Sequence, residues 1–266
     1  MKRPRKVAIT GASSGLGAAL AREYAGPGRS LALSARRLDK LAQIKRDCEE
    51  RGADVSVRSL DVTDVKQVEA WVDEIERSGP VDLLIANAGI FTGHGADGQW
   101  ETMADLVRQI DTNLTGTMAT ISGIAPRMQT RGHGHIAMVS SLAALQPLAD
   151  APGYSAAKAG ILAYGEAIRE YLADDNVTVS IILPGNIATA QTAVQIGAQP
   201  GIITAEKAAQ VIRRRLDRGR TIIAFPDIMH WLIRLERVLP WRVRAWTHRP
   251  FRFHVDPRSG GGNGQD

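Results

Sequence analysis

The chain has 266 residues, 44% of them apolar, a length at which a doubly wound or barrel α/β domain buries one sizeable core without division. Its single cysteine, Cys48, lies among Asp47, Glu49 and Glu50, which excludes an internal disulfide and a cysteine-based metal cluster and fits a reducing cytosol. The net charge of +5 is uneven: from Arg213 to Arg258 there are 12 arginines against 4 acids, a local balance of +8, so the remaining chain carries −3.

In chain order, the basic start from Met1 to Lys6 precedes an apolar run over 7–9 only, too short for the core of a secretory signal. No run approaches the ~18 apolar residues of a membrane span, so the chain is expected to be cytoplasmic, either soluble or attached only to a membrane surface. A strand is predicted over 7–10, then a Gly-rich turn over 11–17 and a helix to about 25. The alternation continues with a strand over 31–34, a helix over 39–51, a strand over 55–59, a helix over 65–77 and a strand over 81–86. A long helical region over 103–128 follows, then a strand over 136–140, a helix over 154–172, a strand over 177–183, a helix over 205–216 and a strand over 221–225. Seven strands alternating with six helices require right-handed crossovers and a parallel sheet covered on both faces. The expectation is a doubly wound α/β catalytic domain over 1–226, with its ligand beyond the carboxyl ends of the strands.

Three segments fall outside this rhythm. Residues 190–203 carry Gly197, Pro200 and Gly201 in a connection long enough to be a lid. In the extension over 227–258, a helix over 227–239 gathers Ile228, Trp231, Leu232, Leu235, Val238 and Leu239 on one face, and Pro240 should end it. Beyond it, Trp241, Val243, Trp246, Phe251 and Phe253 alternate with Arg242, Arg244, Arg249 and Arg252. This extension reads either as a cover over the substrate pocket or a neighbouring subunit, or as a segment for the interface of an anionic membrane. The tail over 259–266 is Gly-rich and polar and should be disordered.

Between the first strand and first helix, Gly11, Ser13, Ser14, Gly15, Leu16 and Gly17 form a turn whose glycines let the backbone approach a pyrophosphate at a helix N-terminus. Together with Asp61-Val62, Asn87-Ala88-Gly89, Asn113, Ser141, Tyr154 with Lys158 four residues on, and Pro184-Gly185 running through Ile187 to Thr189, this turn resembles the compact branch of the short-chain dehydrogenase/reductase family. The resemblance covers residues 5–225 and implies a Rossmann-type sheet, a nicotinamide cofactor held by these residues, and assembly as a homodimer or homotetramer, for which 103–128 is the candidate surface. It also implies that Lys158 holds the nicotinamide ribose, that Asn113 anchors a water linking Lys158 to solvent, that Asp61 bonds the adenine and that Thr189 meets the carboxamide.

The chemistry also follows from the residues. Tyr154 and Lys158, spaced i, i+4, share one helix face. A free tyrosine has a pKa of about 10, and a nearby ammonium should lower it, making Tyr154 a general acid for carbonyl reduction and a base for alcohol oxidation. Ser141 can donate a hydrogen bond to the substrate oxygen. At the end of the second strand, Ala35 is followed by Arg36 and Arg37, and the first acid, Asp39, comes only afterwards. An NAD site usually places an acid there and a 2′-phosphate needs cations, so the cofactor is expected to be NADP(H), with Arg36 as the clamp and Arg37 in support.

The walls over 142–153 and 190–203 offer only Asp150 as a charge, which favours an uncharged or apolar carbonyl or alcohol substrate. The rival reading is a cofactor-binding scaffold or redox-sensing regulator without turnover, against which the complete Asn113, Ser141, Tyr154, Lys158 set speaks. A nucleic-acid partner is disfavoured, since the arginine-rich segment carries no recognised module.

Overall fold

The computed structural model describes residues 4–255. Strand β1 (Lys6–Thr10) is buried along its whole length, as a strand covered on both faces must be. It is followed by α1 (Gly15–Tyr24), β2 (Ser30–Ala35), α2 (Leu38–Glu49), β3 (Asp54–Ser59), α3 (Val65–Arg77), β4 (Leu83–Ala86), α4 (Met103–Gln109), α5 (Gly116–Arg131) and β5 (Gly134–Val139). Then come α6 (Pro152–Tyr171), β6 (Val177–Pro184), β7 (Ile187–Ala188), β8 (Gln195–Gly197), β9 (Ile203–Thr204), α7 (Ala205–Leu216), β10 (Ile222–Phe225), α8 (Asp227–Glu236), α9 (Trp241–His248) and β11 (Phe253–Val255).

Among the described residues, seven of these strands form one parallel sheet in the order β3-β2-β1-β4-β5-β6-β10. This is the expected doubly wound, Rossmann-type α/β architecture. Alternate strand residues serve opposite faces. Val7 and Ile9 of β1 join Leu20 and Tyr24 of α1, Leu41 of α2 and Ile212 of α7 in one core. Ala8 points the other way, into a core with Trp71 of α3, Ile121 of α5 and Ile161 of α6. The strand order reverses between β1 and β4, which opens a crevice at their carboxyl ends.

The structure departs from the sequence reading in three places. The helical region over 103–128 is divided by a π-helical turn at Ile110–Thr115. Hydrophobic periodicity does not register such a local widening, here accompanied by an inward-facing Asn113 whose carboxamide pairs with both backbone groups of Ile90 at 2.7 and 2.9 Å. The segment over 190–203 is not simply a free loop, because β7 pairs with β9, and β8 pairs antiparallel with β11, Gly197 opposite Phe253. The residues after Pro240, read only as alternating apolar and basic, form α9 with Pro240 at its N-cap. The tail over 259–266 lies outside the described residues.

Candidate active site

The Gly-rich turn depends on glycine at three positions, Gly17 among them, where a Cβ would collide with the Gly11 carbonyl oxygen. Gly11 and Gly15 have φ of +67° and +53°, and a Cβ at Gly11 would lie 2.7 Å from the Cα of Ala88. Asn87 braces the turn by donating from Nδ2 to the carbonyls of Thr10 at 3.0 Å and Gly11 at 3.2 Å. The Thr10 hydroxyl in turn accepts from the amides of Asn87 and Ala88 at 3.0 and 3.1 Å. Helices α3, α4 and α7 are capped by the side chains of Asp64, Thr102 and Thr204, whereas Ser14 makes no side-chain cap bond and the first turn of α1 holds no acid. The positive end of α1 is therefore left without a side-chain acceptor beside the cleft, as an anion site requires.

At the end of β2, Arg36 and Arg37 both line this cleft. Arg37 donates to the Ser14 hydroxyl at 3.1 Å, while Arg36 forms no side-chain ion pair or hydrogen bond among the described residues. Asp61 accepts from the amide and hydroxyl of Thr63 at 3.0 and 2.8 Å through Oδ1 alone. The cap of α3 belongs to Asp64 instead. Thr189 sits against the turn: its methyl would be 3.1 Å from a Cβ at Gly15, and its hydroxyl lies 3.3 Å from that of Thr192.

Tyr154 stands near the start of α6, its ring edge-on to Phe91 with centroids 4.9 Å apart, and it lines the cleft together with Ser141. Ser141 is held by the Ala143 amide at 3.1 Å and reaches the Pro184 carbonyl at 3.4 Å. One helical turn after Tyr154, Lys158 donates from Nζ to the Val139 carbonyl at 3.0 Å and lies 5.6 Å from the Tyr154 ring centroid. Gly89 keeps the space between two of these groups, since a Cβ there would lie 3.0 Å from Asn113 Oδ1 and 3.6 Å from Lys158 Nζ.

Electrostatics differ from the sequence expectation that the ammonium lowers the tyrosine pKa. Burial pushes Tyr154 up to about 12, with neighbouring Ser141 opposing it, and burial draws Lys158 down to about 8. Removal from water penalises the phenolate and the ammonium alike. Tyr154 is consequently a neutral phenol, a proton donor, at neutral pH.

Of the residues singled out from the sequence, all but Asn113 line one continuous cleft of about 680 Å³. Asn113 is fully buried behind Gly89 and Ile90, both of which line the cleft. The family model described as short chain dehydrogenase matches residues 5–199. The chain belongs to the short-chain dehydrogenase family. Its relatives include an uncharacterized oxidoreductase of Myxococcus xanthus, 34% identical over 89% of this chain and 93% of that protein. An 11-beta-hydroxysteroid dehydrogenase-like 3 of Arabidopsis thaliana is 34% identical over 94% of this chain and 82% of that one. Among solved structures, a short-chain dehydrogenase from Sphingobium yanoikuyae in complex with NADPH superposes with a TM-score of 0.76 at 26% identity, covering 93% of this chain and 96% of that one.

In this short-chain dehydrogenase, further residues that the sequence reading did not single out as site residues line the cleft: Phe91, Gln146, Leu148, and from the extension Glu236, His248 and Arg252. Phe91 had a signal, an aromatic two residues past a glycine at a strand end. The others depend on tertiary contact. Asp150 is not the only charge in the walls, and it is already engaged: buried, it accepts from Arg252 Nε at 2.6 Å and from the Phe253 amide at 3.1 Å. Glu236 meets His248 at 2.9 Å and Gln146 at 3.3 Å.

Proposed function

We propose that this oxidoreductase is NADP(H)-dependent and moves a hydride between the nicotinamide and the carbonyl or alcohol carbon of an uncharged, largely apolar small molecule. The observation that carries the reading is the Tyr154 phenol, in one cleft with Ser141, one helical turn from Lys158 and beside the uncapped Gly-rich turn. The residues fit the cofactor: the turn admits no Cβ at Gly11, α1 leaves its first turn open to an anion, and the Arg36 side chain has no partner among the described residues. When bound, NADP(H) gives or takes the hydride.

The chain's part is to orient the substrate oxygen and handle its proton. Ser141 hydrogen-bonds that oxygen as charge develops, and Tyr154, neutral at physiological pH, donates the proton in the reducing direction. Lys158 stands where it can steady the phenol and hold the ribose, with the Asn113 carboxamide behind Gly89 on its far side from the cleft. Arg36 matches a 2′-phosphate because a guanidinium forms paired, charge-assisted bonds to phosphate, and the NADPH complex of the Sphingobium relative supports the same choice. For the substrate, Asp150 is engaged by Arg252 and Glu236 by His248, while Leu142, Leu148, Leu232 and Phe251 supply apolar wall. A relative named for a hydroxysteroid agrees with that lining. Exposed Met103, Val107 and Met118 on α4 and α5 support subunit pairing there, to be checked by light scattering.

The test is oxidation of NADPH and NADH against a panel of alicyclic, aromatic and steroid ketones and anionic keto acids. Turnover of apolar ketones with NADPH is expected. Absence of turnover across the panel would overturn the catalytic reading, and preference for keto acids would overturn the substrate class.

A further inference from the structure

Helices α8 and α9 carry two different faces. Inward, Met229 and Ile233 pack on Leu142, Ile181 and Leu183, and His248 meets Glu236. Outward, ten of the nineteen exposed large hydrophobic side chains among the described residues fall between Ile228 and Phe251, and Trp231, Trp241 and Trp246 are 66%, 67% and 69% exposed. A concentration of this kind marks a docking face.

The charge on this face selects the partner. Arg234, Arg237, Arg242 and Arg249 lie among these side chains, and none forms an ion pair among the described residues. Arg234 and Arg242 rest 6.0 and 5.6 Å from the rings of Trp231 and Trp241, so cation and indole are presented together. Glu236 is turned inward to His248, and Asp227, at the start of α8, is paired with Arg215. A second copy of this face would bring unpaired arginines against arginines, which disfavours self-pairing. An anionic bilayer surface satisfies both features, since indoles settle at the headgroup level and guanidinium groups meet lipid phosphates. The helices span only 10 and 8 residues, and among the described residues no helix is long and apolar enough to cross a membrane. They would therefore lie in the plane of the interface.

We infer that α8 and α9 dock the protein on anionic bilayer surfaces through this Trp and Arg face. The docked face also reaches the cleft, because Leu232 and Phe251, each about half exposed, line it. Vesicle binding does not depend on the catalytic reading, so the two fail separately.

The experiment is cosedimentation of the full chain with vesicles of phosphatidylcholine alone or with phosphatidylglycerol at about one part in three, at low and high salt. Binding to the anionic vesicles at low salt is expected, with loss at high salt and on phosphatidylcholine alone. Two variants, one carrying Trp231→Ser, Trp241→Ser and Trp246→Ser, the other Arg234→Gln, Arg237→Gln and Arg242→Gln, should each bind at least about tenfold more weakly. All six positions are exposed, so circular dichroism and the thermal midpoint should stay native. No binding at low salt, or undiminished binding by both variants, overturns the inference. It is also overturned if the tryptophan variant changes the mass in light scattering while its vesicle binding is intact, because the face is then a subunit contact.

Discussion

Tyr154 and Arg36 are the single residues on which the proposed chemistry turns. Tyr154→Phe removes one hydroxyl and keeps the ring that meets Phe91 edge-on, so the fold and NADPH affinity should persist. Turnover should fall by ~10²- to 10⁴-fold, the usual contribution of a general acid-base group. Steady-state kinetics on folded protein check this, and retention of more than a tenth of the activity contradicts the assignment. Arg36→Ala should weaken NADPH by roughly 10- to 150-fold, the equivalent of a charge-assisted contact of ~1.5 to 3 kcal/mol, and leave NADH nearly unchanged. Fluorescence titration of both cofactors is the measurement, and equal losses would make Arg36 structural. Both residues were readable from local context, a Tyr and Lys one helical turn apart and an arginine where an acid would serve NAD. The pKa of Tyr154 was not, because it is set by burial of the phenol, which spacing does not report.

At the scale of elements, periodicity identified the strands and helices of the main sheet because each has one or two buried faces, and burial repeats with the geometry of the element. It missed what is set across the chain. The β8–β11 pair, the engagement of Asp150 by Arg252, and the lining of the cleft by Glu236 and His248 each join segments remote in sequence. Glu101 is the instructive case. Ala151, at the N-cap of α6, offers no side-chain acceptor, and Glu101 supplies one from a distant loop, accepting from the Gly153 amide at 3.1 Å through Oε2. Its Oε1 accepts from Thr92 at 3.0 Å and Gln109 at 2.8 Å, so one carboxylate ties α6 to α4 and to the segment after β4. Glu101→Ala should destabilise the fold by about 1 to 2 kcal/mol, the range of a lost cap, and reduce kcat more than KM by loosening the first turn that carries Tyr154. Glu101→Gln, which keeps an acceptor, should recover most of both. Urea denaturation with kinetics reads the two effects, and a fully active, fully stable Glu101→Ala would show that α6 needs no such anchor.

The whole molecule should record one buried group in its response to acid. His135, on the central strand β5, is 3% exposed, and its Nε2 lies 2.7 Å from the hydroxyl of Ser180. Ser180 donates that hydroxyl to the Arg220 carbonyl at 2.7 Å, so it accepts from His135, which fixes the neutral Nε2–H tautomer. Burial lowers the folded pKa of His135 to about 4, from an ordinary value of 6.5. Between those values the unfolded chain binds the proton and the folded chain does not. Stability must therefore fall as pH drops from about 6.5 to about 4, by up to about 3 kcal/mol at 1.36 kcal/mol per unit. The carboxylates Asp47 and Asp64, held below the ordinary 3.8 by hydrogen bonds from Arg22 and Gln67 respectively, lose their contribution only at lower pH, so the two windows barely overlap. His230, lowered by partial burial and by Arg234, acts in the same direction but is screened by solvent. Chemical denaturation at half-unit steps from pH 6.5 to 4 should show this slope in the native chain and most of it removed in His135→Gln, whose amide can still donate to Ser180. An unchanged slope in that variant would mean that the acid sensitivity of the sheet resides elsewhere than at His135.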